Sequence, residues 1–190
     1  MFLKSMKVVV TGSLGNVSKP LAKQLVEKGH SVTVISSKKE KQRDIEALGA
    51  HAAIGSVEDL DFLVSIFNGA DAVYVMVPPR YDVADPRAYY AGLGRKYADA
   101  IEQTGVKRVV HMSSVGAHLA KGTGVIAGLY DNEHTLNEKL LEKGVSLVHL
   151  RPVSFYTNFF HHIETIKAMG VIGANYGGDD KLRGVSLRYR

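Results

Sequence analysis

The run Lys7-Val8-Val9-Val10 opens onto Thr11-Gly12-Ser13-Leu14-Gly15-Asn16-Val17-Ser18. Glycine at position 12 permits a sharp turn, and glycine at position 15 puts no Cβ between the backbone and an approaching group. Leu14, Val17, Leu21 and Leu25 then recur at helical spacing. The first N–H groups of such a helix are unpaired and its N-terminal end favours an anion. Two linked phosphates suit that arrangement, which makes Gly12, Ser13, Leu14, Gly15, Asn16 and Val17 the first candidate cofactor-binding residues. The spacing is Gly-x-x-Gly-x-x-Ser, so Ser18 stands where a third glycine often supports close helix–sheet packing. A slight loosening is expected there, without loss of binding. A purely structural glycine turn is the competing reading, but a strand before it and a helix and strand after it favour a bound dinucleotide.

The second β-branched run, Ser31 to Ser36, is followed by Ser37-Lys38-Lys39. A carboxylate at the end of this strand would accept hydrogen bonds from a ribose 2′-hydroxyl. None stands there. Two hydroxyls and two ammonium groups suit a 2′-phosphate instead, so Ser36, Ser37 and Lys38 argue for NADP(H) over NAD(H).

These groups need a scaffold that brings strand ends together. His51 to Gly55 reads as a third strand and its exit, and Ser56 and Val57 after it would lie near an adenine ring. Asp71 to Val77 reads as a fourth strand stopped by Pro78 and Pro79, at the end where open α/β sheets bind ligands. Asp85-Pro86 predicts a capped helix running to about Gln103, with Gly105 as its stop. Val106 to Met112 is a fifth strand, followed by Ser113 and Ser114. A glycine-containing loop, a helix over Leu129–Lys143 and a sixth strand over Val145–Leu150 come next. Val77, Met112, Ser113, Ser114, Pro152 and Val153 complete the candidate cofactor shell at the strand ends. Six βα units predict an α/β fold: a Rossmann-type, doubly wound parallel sheet in three αβα layers, ordered 3-2-1-4-5-6. The expected organisation is one dinucleotide-binding domain over 1–190, with 151–190 the start of an incomplete substrate-side region.

A chain of 190 residues with 45% hydrophobic residues has material for one ordinary core. The absence of cysteine removes disulfides and thiolate metal sites and suits the cytoplasm. His161 and His162 are adjacent, so on a helix they diverge, and no metal is expected. A net charge of +5 is spread along the chain without a basic block interleaved with aromatics, which argues against nucleic acid as a partner. No apolar run approaches membrane-spanning length, so no membrane partner is expected. A small-molecule substrate is expected, and a homodimer is compatible with the sequence.

Val10 to Val17, Gly29-His30 before the second strand and Ser113-Ser114 after the fifth resemble the atypical short-chain dehydrogenases/reductases. Leu150-Arg151-Pro152, with Phe155 and Asn158, resembles their NmrA-like branch, over roughly residues 6 to 178. That branch includes NADPH-dependent quinone reductases and redox-sensing regulators. The resemblance implies NADP(H), a quinone or small carbonyl as substrate, and Pro78 and Pro79 beside the nicotinamide ribose. Ser36 stands where the branch often has an arginine. The YxxxK pair of many dehydrogenases becomes Tyr130-Asp131-Asn132-Glu133-His134, with histidine in place of lysine. Lys181 to Arg190 no longer resembles the family, from which a C-terminally truncated product is expected. Tyr130 and His134 share a helix face, and Ser114 ends the neighbouring strand, so Ser114, Tyr130 and His134 form the candidate catalytic set. His134 is also a candidate to bond a ribose or a loop carbonyl. Asn158 and Phe155 either line the substrate side or form a corner in which Asn158 caps the last helix. An NADPH-dependent oxidoreductase, a non-catalytic NADP(H) sensor and an epimerase or dehydratase relative remain the three readings.

Overall fold

A computed structural model describes residues 4–80 and 82–172 and the strand Gly184–Val185. The chain divides into two compact units, Met1–Arg151 and Pro152–Arg190.

The first unit alternates strands and helices: β1 (Lys7–Val10), α1 (Ser18–Glu27), β2 (Ser31–Ser36), α2 (Gln42–Glu46), β3 (His51–Ile54), α3 (Leu60–Phe67), β4 (Ala72–Met76), α4 (Pro86–Thr104), β5 (Arg108–Met112), α5 (Ala127–Leu140) and β6 (Ser146–Leu150). The six strands are parallel and ordered β3-β2-β1-β4-β5-β6, as the βα alternation predicts. Strand residues alternate between faces, and the core divides accordingly. Val9, Ile35, Val73 and Val75 pack with Leu63 and Phe67 of α3, Leu93 and Tyr97 of α4, and Leu136 and Leu140 of α5. Val8, Val10, Val32, Val34 and Tyr74 face the other way, with Ala22 of α1 and Ile45 of α2. Reversal of the strand order beside β1 opens the crevice at the carboxyl ends of β1 and β4.

Local chemistry sets most boundaries. Asp85 accepts from the Ala88 N–H at 2.9 Å, Pro86 takes the first helical position, and Gly105, at φ +70°, closes α4. Asp59 caps α3 through the Phe62 N–H at 3.1 Å. Helix α1 begins at Ser18, four residues after the periodic pattern starts, because Leu14 and Val17 join the core from the preceding turn. Helix α5 begins at Ala127, two residues before the pattern suggests, and its last turn tightens to a 3₁₀ segment, Leu141–Lys143.

The second unit contains β7 (Ser154–Phe155), a 3₁₀ segment over Tyr156–His162, α6 (Ile163–Met169) and β8 (Gly184–Val185), with β7 and β8 paired in parallel. Asn158 lies inside the 3₁₀ segment and donates to Ser154 Oγ at 3.5 Å. The residue preceding α6 is His162, so Asn158 does not cap that helix. The expectation for Lys181 to Arg190 falls, apart from β8, outside the described residues. Among the described residues no helix is long and apolar enough to cross a membrane.

Candidate cofactor site

The turn after β1 is held from three sides. Thr11 donates its N–H to the Tyr74 carbonyl at 3.0 Å and accepts the Met76 N–H on Oγ1 at 2.9 Å, which fixes the turn to β4. Gly12 has φ +87°, and a Cβ there would lie 2.6 Å from Ser18 Oγ and 2.8 Å from Met76 Sδ. Both backbone and space demand glycine. Ser18 is buried and donates to the Thr11 carbonyl at 2.7 Å. The serine in place of a third glycine therefore ties α1 to the turn. Ser13 adopts a left-handed conformation, φ +53°, held by its N–H on the Ile35 carbonyl at 3.0 Å. The Gly15 N–H is spent on the Gly12 carbonyl at 3.1 Å, where a Cβ at Gly15 would also press. Among the described residues the backbone N–H groups of Leu14, Asn16 and Val17 have no hydrogen-bond partner. Three unspent amides at the start of α1, on a turn where Gly12 and Gly15 carry no side chain, fit an anionic diphosphate.

The end of β2 divides its labour. Ser36 is 2% exposed, and its hydroxyl accepts from Ser13 Oγ at 2.9 Å and from the Lys38 N–H at 3.2 Å. It knots the phosphate turn to β2 and has little left for a ligand. Ser37, Lys38 and Lys39 are exposed beside it. Beyond β3, Ser56 Oγ accepts the Glu58 N–H at 3.1 Å, and Val57 packs partly into the core. The next feature carries no sequence motif. Tyr89 donates to Glu58 at 3.2 Å, and the Arg80 guanidinium lies 5.7 Å above the Tyr89 ring while gripping Asp82 at 2.7 and 2.9 Å. A cavity of about 150 Å³ opens there, lined by Glu58, Ala88, Tyr89, Gly92, Leu93 and Lys96. Burial, then the Glu58 carboxylate, pushes the Tyr89 phenol up to about 12. Val77 is buried in the core, so it can offer a ligand chiefly its backbone, whereas Pro78 is half-buried and Pro79 exposed.

At the end of β5, Met112 and Ser114 are half-buried, and Ser113 is buried with its N–H on the Leu150 carbonyl at 2.8 Å. Tyr130 and His134 stack with ring centres 6.1 Å apart and planes 12° apart. His134 is exposed, and its Nε2 lies 3.1 Å from Glu138. The preceding residue, Glu133, is 4% exposed and forms a bidentate pair with Arg151 at the end of β6. Burial would raise the Glu133 carboxyl, but the Arg151 guanidinium and the nearby Ser113 hydroxyl outweigh it and hold the group below the ordinary range. Two histidines in register, His111 and His149, complete a polar layer that no sequence motif announced. Pro152 and Val153, half-buried, open the second unit.

The chain and its fold have counterparts among known proteins. An NAD(P)H azoreductase of Xenophilus azovorans is 23% identical over 163 residues, which cover 86% of this chain and 53% of that protein. The structure of a triphenylmethane reductase from Citrobacter sp. superposes with a TM-score of 0.70 at 17% identity, over 85% of this chain and 53% of the other. An NADPH-dependent quinone oxidoreductase from Escherichia coli, solved with NADPH, superposes with a TM-score of 0.68 at 16% identity, over 86% and 54%. The chain thus spans about half the length of each of these relatives. Residues 12–169 match the NAD(P)H-binding family, and the match begins at Gly12, the turn with the unspent amides. The chain belongs to the NAD(P)H-binding family.

Proposed function

We propose that this chain takes NADP(H) in preference to NAD(H) and serves an oxidoreductase that passes a hydride to a quinone or a small carbonyl compound. One observation carries the reading: three unspent amides, of Leu14, Asn16 and Val17, on a turn kept bare by Gly12 and Gly15. The names of two relatives support it, the NAD(P)H azoreductase and the NADPH-dependent quinone oxidoreductase. When bound, the nicotinamide supplies the hydride; the protein supplies position and electrostatics. The turn would hold the two phosphates. Ser37, Lys38 and Lys39 would meet a 2′-phosphate while Ser36 fixes the backbone beneath them. Ser56 and Val57 would take the adenine side. Val77, Pro78, Pro79, Met112, Ser113 and Ser114, with Pro152 and Val153, would take the nicotinamide half. Residues 151–190 would begin a substrate-side region. Tyr130, with His134 stacked on it, and Ser114 would serve the substrate oxygen, Tyr130 as proton donor and Ser114 as hydrogen-bond partner. The proposed setting is the cytoplasm, with a homodimer as the assembly that light scattering would test.

Side-by-side calorimetric titration with NADPH and NADH tests the cofactor, and NADPH oxidation over a panel of quinones tests the chemistry. Binding of neither nucleotide would end the reading. A specific observation favours a second one, a non-catalytic NADP(H) sensor: His134, in the position of a catalytic lysine, is exposed and committed to Glu138. NADPH binding without turnover across the panel would select the sensor.

A further inference from the structure

The carboxyl ends of β5 and β6 bury polar groups that the cofactor reading leaves unused. His111 and His149 are register partners on the two strands, and their rings meet edge-on with the Nδ1 atoms 2.9 Å apart. His149 Nε2 lies 3.1 Å from Asn137 Oδ1 on α5. A carboxamide oxygen only accepts, so His149 Nε2 carries a proton. The Nδ1 of a neutral His149 is then bare, and the proton between the rings belongs to His111 Nδ1. His111 Nε2 is left as a lone pair. It is buried and lacks a partner among the described residues. Glu133 from α5 and Arg151 after β6 are the charged groups around the pair. Glu133 acts on both rings and Arg151 on His149.

We propose that His111, His149 and Asn137 form a one-proton relay whose loading turns the buried His111 Nε2 from a hydrogen-bond acceptor into a donor. On loading, one proton from solvent adds to His111 Nε2. The proton on His111 Nδ1 crosses to His149 Nδ1. His149 then holds both ring protons and the positive charge, with its Nε2–H still on Asn137 and its Nδ1–H now donated to His111. His111 ends neutral in its other tautomer. Unloading runs the same two transfers backwards, and no other bond changes. The charge settles on His149 because His111 has no exposure, while His149 is half-buried and faces Asn137 and Glu133. Burial, then His149, holds His111 down to about 3, and burial also lowers His149, so the relay is empty at neutral pH and loads in acid. These are positioning residues. Any consequence for a substrate rests on the proposed function; the relay itself does not.

Ring-nitrogen NMR shifts of the full chain, labelled with ¹⁵N-histidine and carrying no nucleotide, read each tautomer directly. At neutral pH the expected state is His111 protonated on Nδ1 and His149 on Nε2. On acidification His149 should become doubly protonated while His111 swaps to Nε2–H, both at one midpoint. His149→Phe should abolish the swap. A neutral-pH His111 carrying Nε2–H would overturn the relay, as would separate midpoints, a swap that survives His149→Phe, or unfolding before any swap. Failure of nucleotide titration would leave this result untouched, and the reverse also holds.

Discussion

Lys38 and Lys39 project from the end of β2 into solvent, over a backbone that Ser36 fixes from below. If they meet a 2′-phosphate, replacing both by alanine should weaken NADPH binding about tenfold, about 1.4 kcal/mol, and leave NADH nearly unchanged. Calorimetry on Lys38→Ala/Lys39→Ala checks this, and equal losses for both nucleotides would show that the lysines do not read the phosphate. Ser18 makes a different kind of claim. Ser18→Ala removes the donor to the buried Thr11 carbonyl and should cost about 1 kcal/mol in urea unfolding. A neutral outcome would mean that water replaces the hydroxyl. The histidine pair adds a pH dependence. An unfolded histidine titrates near 6.5, whereas folded His111 is held down to about 3. Between those values the unfolded chain binds the extra proton. Stability is therefore complete above about pH 6.5 and falls below it, by about 1.4 kcal/mol per pH unit per proton. His111→Phe should flatten the acid limb of stability against pH, and an unchanged slope would locate acid sensitivity elsewhere. The glycine turn and the lysines were legible in the sequence because their spacing is local. The histidine pair was not: it depends on the register of β5 with β6, which a single sequence does not display. Ser36 was legible as a position but not as an internal hub, because its partner Ser13 lies 23 residues away.

Helices α4 and α5 are matched at the level of single glycines. A Cβ on Gly94 would fall 1.3 Å from Asn132 Oδ1, and one on Gly128 would fall 2.7 Å from the Tyr90 Cβ. Three ion pairs fasten the margin: Arg87 with Asp131, Lys139 with Asp99 and Lys143 with Glu102. The Arg87 pair is bidentate at 2.6 and 2.8 Å, yet both partners reach solvent, which screens the pair and leaves it a small contributor. Close approach of the helices matters more. Asn132 is wholly buried, and neither its oxygen nor its nitrogen has a partner among the described residues. Gly94→Ala should cost about 1–3 kcal/mol by overpacking. Asn132→Ala should recover much of that loss in the double variant, because it removes both the obstruction and the unpartnered amide. Urea unfolding of the four members of this cycle decides the matter: strictly additive costs would mean that the two residues do not share the space. Helix α4 was legible from Asp85-Pro86 to Gly105 because capping chemistry acts within a few residues. The start of α1 was harder to read, since Leu14 and Val17 keep helical spacing while lying in the turn. The notch that holds Asn132 was invisible, because Gly94 and Asn132 meet only after two helices pack.

Over the first unit, the strand order followed from simple alternation: short crossovers of one hand allow few arrangements of six βα units, and 3-2-1-4-5-6 is among them. The second unit offered no comparable repeat, and its pairing of β7 with β8 joins residues about 30 apart with no turn signal to announce it. The switch point of the sheet gives the molecule one global test. A nucleotide that binds the folded chain and not the unfolded chain must raise its stability by mass action. At a hundredfold excess over Kd the gain is about 2.7 kcal/mol. For a chain of this size, about 2–4 °C accompanies each kcal/mol, so NADPH should raise Tm by roughly 5–10 °C. NADH at the same concentration should raise it less, by an amount that tracks its weaker binding. Gly12→Ala supplies the control, since a Cβ at φ +87° meets Ser18 and Met76 and distorts the turn that carries the amides. That variant should melt earlier and lose its response to NADPH. A Gly12→Ala protein that responds to NADPH as fully as the parent would place the nucleotide somewhere other than the turn after β1.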